Sequence, residues 1–265
     1  MSAPSVIRRA PLFSLFTLLV FAFIYLPIVV LILYSFNQQG VGGFPPKNLT
    51  LDWYRQLIAD SSIWDSVLNS VIVAACSVAL ALTLGLLAAL ALDRASFPGR
   101  ALFRRLVLLP LILPGIITGL SLLMFAVFVG ARLSLFTVFL GHGTALISVA
   151  TTELFAGLQK MDRAQEEASL DLGATPWQTF WRVTLPNLKL SLIASGLLIF
   201  TLSMDEIAVT FFLIGRENTL PMEIWGRLRQ GITPEINAVS TLIFAASVIL
   251  IIIWYHLRMR AVPTA

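Results

Sequence analysis

Asp205 and Glu206 stand side by side in an otherwise apolar run, Phe200-Thr-Leu-Ser-Met-Asp-Glu-Ile-Ala-Val-Thr210. Adjacent carboxylates in a hydrocarbon environment cost about 2.5–3.5 kcal/mol each at mid-helix, so they face a bundle interior or a water-filled path. The chemistry on offer is attraction or gating of a cation. The structural alternative is a carboxylate pair satisfied by neighbouring helices or by Arg216. Glu153 is a third carboxylate inside an apolar run. Such groups also suit an ion-coupled secondary transporter, which is the competing reading.

A second chemically distinctive stretch covers residues 159–186. Residues 161–172 predict a short helix, with Gly173 placed to end it in the left-handed conformation that glycine accepts without strain. Thr175, Pro176 and Gln178 then form an N-cap, N1 and N3 pattern for a second short helix. Trp177, Phe180 and Trp181 give that helix a bulky apolar face near charged residues, which suits protein binding. Other chemistry is missing. A phosphate-cradling loop needs lysine after glycine, and Lys47, Lys160 and Lys189, the three lysines, all lack that neighbour. No nucleophile–base pair is apparent. His142 and His256 lie far apart without ligand-spaced partners, so no metal site is expected. The single cysteine, Cys76, cannot form an internal disulfide.

The elements that must position these residues are set by composition. Of 265 residues, 58% are hydrophobic and 12% charged. Soluble domains carry about 25% charged residues. The net charge of +4 does not form one basic patch; the arginines and lysines sit between apolar runs, which argues against nucleic acid and for membrane topology. Six runs are long enough to span: 12–36, 66–92, 106–129, 135–156, 188–214 and 238–257. The first is too long for the h-region of a cleaved signal. Uniformly apolar runs of this length are helices, because backbone groups in lipid must be satisfied internally. The expected fold class is an all-α membrane protein with six transmembrane helices, one transmembrane domain over residues 1–265. Lysine and arginine concentrate in alternate connections, including 94–105 and 160–189, and this bias places both termini in the cytoplasm.

Two outer segments are more than loops. Residues 37–65 begin with Gly40, Gly42, Gly43, Pro45 and Pro46, which break structure, and continue into an amphipathic helix near 51–58 that carries Trp53 and Tyr54. Residues 216–236 have Pro221 near a helix start, Gly231 near its stop and Trp225 suited to the headgroup level. In the third run Pro110 and Pro114 open the helix ladder, which is tolerated where a helix lines a cavity or is covered by protein.

The cytoplasmic stretch resembles the EAA loop of ABC importer permeases. The family pattern is Glu-Ala-Ala, three residues, Gly, nine residues, Ile, one residue, Leu-Pro. Here it is Glu167-Ala168-Ser169, three residues, Gly173, nine residues, Val183, one residue, Leu185-Pro186. The resemblance implies a coupling helix that seats in a groove of an ATPase subunit, with Glu167, Ala168 and Gly173 at that interface. Residues 200–210, with Thr-Leu-Pro at 219–221 and Gly-Ile-Thr-Pro-Glu-Ile-Asn-Ala at 231–238, resemble the spermidine/putrescine branch. That likeness implies Trp53, Ser203, Asp205 and Glu206 as polyamine-path residues. The branch pattern has two aspartates where this chain has Asp205-Glu206, and Pro-Asp where it has Pro114-Gly115, which leaves the solute open. The family further implies a second permease, two ATPase subunits that bind ATP-Mg, an extracytoplasmic solute-binding protein, a bacterial inner-membrane location, and no cofactor on this chain.

Overall fold

The computed structural model describes residues 10–38, 45, 48–231 and 233–261, and it folds as two compact units. The segment predicted to break structure after residue 37 falls largely outside the described residues, as do Arg8 and Arg9. The terminal unit, residues 1–61 and 224–265, contains α1 (Ala10–Tyr34), α2 (Asp52–Ala59) and the last long helix of the chain. α1 is apolar on all sides and almost wholly exposed, which is the state of a helix whose solvent is lipid. α2 follows an isolated bridge between Asn37 and Leu49. Its Trp53 ring N–H donates to the Asn37 carbonyl at 3.0 Å, and Tyr54 shares a 2.6 Å hydrogen bond with Ser35.

The central unit, residues 62–223, holds the rest of the apolar runs. α3 (Ser61–Arg94) is followed by α4 (Arg100–Leu108), a 3-10 turn at Leu109–Leu111, α5 (Gly115–Phe128) and α6 (Leu135–Gln159). Then come α7 (Ala164–Asp171), α8 (Pro176–Thr179), a π-helical turn at Phe180–Thr184, α9 (Leu185–Met204) and α10 (Ala208–Leu213). α11 (Leu220–Gln230) ends one residue before Gly231, and α12 (Pro234–Ala261) closes the chain. In the central unit, α3, α6 and α9 pack through small residues. Ala81, Ala150 and Ile199 form one buried cluster, and Ala89, Leu154, Leu158 and Leu188 form another. At Gly85 the approach is closest: a Cβ there would lie 2.4 Å from the Ala150 Cβ and 3.0 Å from the Thr151 amide nitrogen. Close backbone approach through small residues is how helices associate where water supplies no driving force.

Two runs expected to be single spans are broken. The run 106–129 bends by 105° between Arg100–Leu111 and Gly115–Phe128. The cause is local: Pro110 and Pro114 lack amide donors, and a proline disfavours helix at the residue before it. The run 188–214 stops at Met204 and restarts at Ala208. A third difference concerns the predicted second short helix, which is not separate. α8, the π turn and α9 join into one stretch from Pro176 to Met204. Pro186 cannot donate to the carbonyl four residues back, and the wider π turn just before it accommodates that lost bond. Four helices are long and apolar enough to cross a membrane among the described residues, or five if the bent pair is one span. The sixth expected span, 238–257, lies within α12.

Candidate functional site

The first site is the protruding helix pair. α7 ends in a Schellman motif: the Gly173 amide donates to the Leu170 carbonyl at 2.9 Å and the Ala174 amide to the Ser169 carbonyl at 3.1 Å. Gly173 has φ +87°, a conformation that side chains resist. α8 starts with a reciprocal capping box. The Gln178 amide donates to the Thr175 hydroxyl at 3.2 Å, and the Thr175 amide to Gln178 Oε1 at 2.9 Å. Ser169 and Thr179 share a 3.0 Å hydrogen bond that closes the two helices on each other. Of the residues predicted to couple, Glu167, Ala168 and Gly173 are all exposed on this pair. The aromatic rings cluster, with Trp177 and Trp181 centroids 5.5 Å apart. Leu172 is 90% exposed and Trp177 68%, which leaves an apolar surface at the tip uncovered among the described residues.

The pair is held by an ionic base that sequence reasoning missed. Arg163 Nη2 lies 3.1 Å from both carboxylate oxygens of Asp93 at the end of α3, and Gln159 donates to the same carboxylate. Arg94 and the Thr184 hydroxyl both donate to Glu166 Oε1. The Asp93 side chain is only 3% exposed and that of Glu166 13%, so these are sheltered, multiply bonded carboxylates. Glu166 and Glu167 are neighbours with opposite surroundings: the first ties α7 to α3 and the π turn, the second faces outward. No sequence signal separates them beyond the helical period.

The second site is where the two broken runs meet. α5 packs on α10, and a Cβ at Gly119 would sit 3.0 Å from the Ala208 carbonyl oxygen and 2.8 Å from the Phe212 ring. Between α9 and α10, Asp205 is exposed. Among the described residues Asp205 forms no ion pair, and Arg216 pairs with neither carboxylate of the break. Glu206 is half-buried, and its Oε1 accepts from the Val209 amide at 2.9 Å, capping the first turn of α10. The same Oε1 would lie 3.7 Å from a Cβ at Gly115. The place beside residue 115 is therefore occupied by the longer carboxylate from position 206.

Ser203 is brought to this break but faces inward. It is 5% exposed, and its hydroxyl lies 2.8 Å from His142 Nδ1. The other ring nitrogen of His142 lies 2.8 Å from the Thr210 hydroxyl. One buried side chain on α6 thus bonds both sides of the break. Thr210 donates its one hydroxyl proton to the Glu206 carbonyl at 2.7 Å. The fully satisfied network then has Nε2–H donating to Thr210 and Nδ1 accepting from Ser203. His142 has no local motif around it; its partners lie 61 and 68 residues away. Trp53, the remaining predicted path residue, belongs to the terminal unit on α2 and is half-buried there.

A profile of the family described as "Binding-protein-dependent transport system inner membrane component" matches residues 81–262, which include both sites. The chain belongs to that family. This permease is 36% identical over 265 residues to the putrescine transport system permease protein PotI of Escherichia coli K12, covering 96% of this chain and 92% of that one. It is 30% identical over 239 residues to the spermidine/putrescine transport system permease protein PotC of Haemophilus influenzae, covering 90% and 93%. Among solved structures, a chain of a bacterial ABC transporter that imports the acidic polysaccharide alginate superposes with a TM-score of 0.69 at 17% identity, over 98% of this chain and all of that one. At that identity the likeness establishes the fold. The permease is a multi-pass inner-membrane protein and a subunit of an ABC importer, and the ion-coupled alternative falls with that assignment.

Proposed function

We propose that this permease forms half of the translocation path for a polyamine such as putrescine or a related small amine. Its chain would cross the membrane six times with both termini in the cytoplasm. Its companions would be a second permease, two ATPase subunits that hold ATP-Mg, and an extracytoplasmic solute-binding protein. The observation that carries the solute is the near full-length likeness to two polyamine permeases. Asp205, exposed at a helix break and without an ion pair among the described residues, is chemically apt for a solute made of amine cations. Glu206 stands next to it, so the break presents one exposed carboxylate and one that caps a helix.

The mechanism is alternating access. ATP-driven closure of the ATPase subunits moves the α7–α8 pairs together and opens the cavity outward to the binding protein. ATP release restores the inward state. In this scheme Glu167, Ala168 and Gly173 lie at the ATPase groove, the aromatic tip fills it, and Trp53, Ser203, Asp205 and Glu206 belong to the solute path, Ser203 through its bond to His142. The test is uptake of radiolabelled putrescine and spermidine in cells expressing the permease with its companion subunits, with and without the ATPase. ATPase-dependent uptake that Asp205→Asn reduces severalfold is the expected result. An assembled complex that takes up neither amine would overturn the solute assignment, and uptake that persists without the ATPase would overturn the mechanism.

A further inference from the structure

Beside the ionic base lies a basic cleft that neither coupling nor solute passage uses. Arg100 and Arg104 sit one turn apart on α4, with Arg105 adjacent, and they border a cleft of about 640 Å³ whose walls include Leu92, Leu108 and Phe155. The Arg104 guanidinium lies 5.8 Å from the centroid of the Phe155 ring. Arg100 donates to the Leu92 carbonyl, which fixes its stem at the mouth. Among the described residues Arg104 and Arg105 form no ion pair. Three guanidinium groups around one concavity repel each other unless an anion joins them.

The level of the cleft is set by its neighbours. Leu92 directly precedes Asp93, the carboxylate that anchors Arg163, and Phe155 lies one turn before Gln159, which bonds the same carboxylate. The cleft therefore sits at the coupling end of the central unit. Leu102, Leu106 and Leu109, spaced for one side of α4 and its continuing turn, are 61%, 57% and 45% exposed. A basic cleft walled by Leu92, Leu108 and Phe155, on a helix whose other side exposes leucines, matches a ligand with an anionic head and apolar tails.

We infer that this cleft binds the phosphate-bearing headgroup of an anionic phospholipid, with the acyl chains against its apolar walls at Leu92, Leu108 and Phe155. Basic pockets between helices on the cytoplasmic side suit such headgroups. The inference rests on the coupling end facing the cytoplasm, as proposed above. Occupancy neutralises α4 against the end of α3, next to the residues that hold α7, so an anionic lipid steadies the coupling base.

The test uses the purified importer complex. Native mass spectrometry counts retained lipid after exchange into phosphatidylglycerol, phosphatidylethanolamine or inorganic phosphate alone. Phosphatidylglycerol should be retained over phosphatidylethanolamine. Arg104→Gln with Arg105→Gln should weaken that retention about thirtyfold, from about a factor of five per arginine near an anionic surface. Lys189→Gln, another exposed cation on α9, should leave it unchanged. ATPase stimulation by phosphatidylglycerol vesicles should fall in the double variant, while basal ATPase in phosphatidylethanolamine stays at the wild-type level. Equal retention of both lipids overturns the inference. So does saturation by inorganic phosphate without lipid retention, which would make the ligand a free anion, and so does a partner-subunit carboxylate crosslinked into the cleft. Lipid counting on the permease alone gives the same readout if no ATPase co-purifies, so failure of the importer scheme is distinguished from failure of the lipid site.

Discussion

His142→Ala is the sharpest perturbation of the helix break. The ring is 2% exposed and bonded at both nitrogens, to Ser203 at 5% exposure and to Thr210 at 0%. Truncation removes two interhelical hydrogen bonds, each worth about 0.6 kcal/mol on average in membranes and up to about 1.7. It also leaves buried hydroxyls with lost partners and a void the size of the ring. A loss of about 2–4 kcal/mol follows, since an unsatisfied buried group alone costs about 1–3 kcal/mol. At about 2–4 °C per kcal/mol for a chain of this size, the unfolding midpoint of the purified complex should drop by about 4–16 °C. Because the two bonds straddle Asp205 and Glu206, uptake should fall through a raised KM beyond what reduced membrane level explains. His142→Gln keeps one acceptor and one donor at one end of a similar side chain, and should recover at least half of both losses. Ser203→Ala with His142→Ala should be less than additive, because each removes the same bond. An alanine variant with an unshifted midpoint and wild-type uptake would refute the pin, and full additivity would show that the bond carries no coupling.

Gly173→Ala forces a Cβ onto a residue at φ +87° with no atom within 4 Å, so the penalty is purely backbone, about 1–2 kcal/mol. Membrane level should be near wild type, while transport per ATP hydrolysed falls, and Gly173→Asn should be milder; equal coupling in all three chains would count against the Schellman turn as a coupling element. Glu166→Ala strands the donors of Arg94 and Thr184 and should reduce co-purification of the ATPase more than Glu167→Ala reduces membrane insertion of the permease. An ATPase yield unchanged by Glu166→Ala would show that the ionic base does not hold the coupling pair. Gly85→Ala places a Cβ 2.4 Å from that of Ala150, and should part α3 from α6 with a midpoint loss visible in thermal unfolding. An unshifted midpoint would show that the two helices have room to move.

The sequence and the structure agree where one local pattern suffices and diverge where a distant partner decides. Apolar run length located α1, α3 and α6 within a few residues, because the need to satisfy backbone groups in lipid leaves helix as the answer. Turn chemistry located Gly173 and the Thr175 capping box, since both are made within six residues of chain. Hydropathy could not reveal that 188–214 breaks after Met204, because Ile207 to Leu213 is as apolar as the helix before it. Ser203 illustrates the other limit. The family likeness implies it for the solute path, but that its hydroxyl bonds His142 is set by a helix more than sixty positions away. Asp93 lay at the end of an apolar run with nothing nearby to mark it, and its distant partners are Gln159 at the end of α6 and Arg163 just before α7.

The two sites are joined by one continuous element. The stretch from Pro176 to Met204 starts among the exposed aromatics Trp177 and Trp181 and ends at the residue before Asp205. Twenty-nine residues at about 1.5 Å each make a rod of about 43 Å. A continuous helical stretch of this kind carries displacement of one end to the other. Its one irregular turn is the π segment at Phe180–Thr184, and that turn is the part fastened down, by the Thr184 hydroxyl on Glu166. A push on Trp177 and Trp181 therefore acts on the short side of a fixed turn, and the long side ends at a break pinned by His142 across Ser203 and Thr210. In the proposed mechanism, fastening near one end and a pin at the other let a small motion of the α7–α8 pair change the presentation of the Asp205 carboxylate.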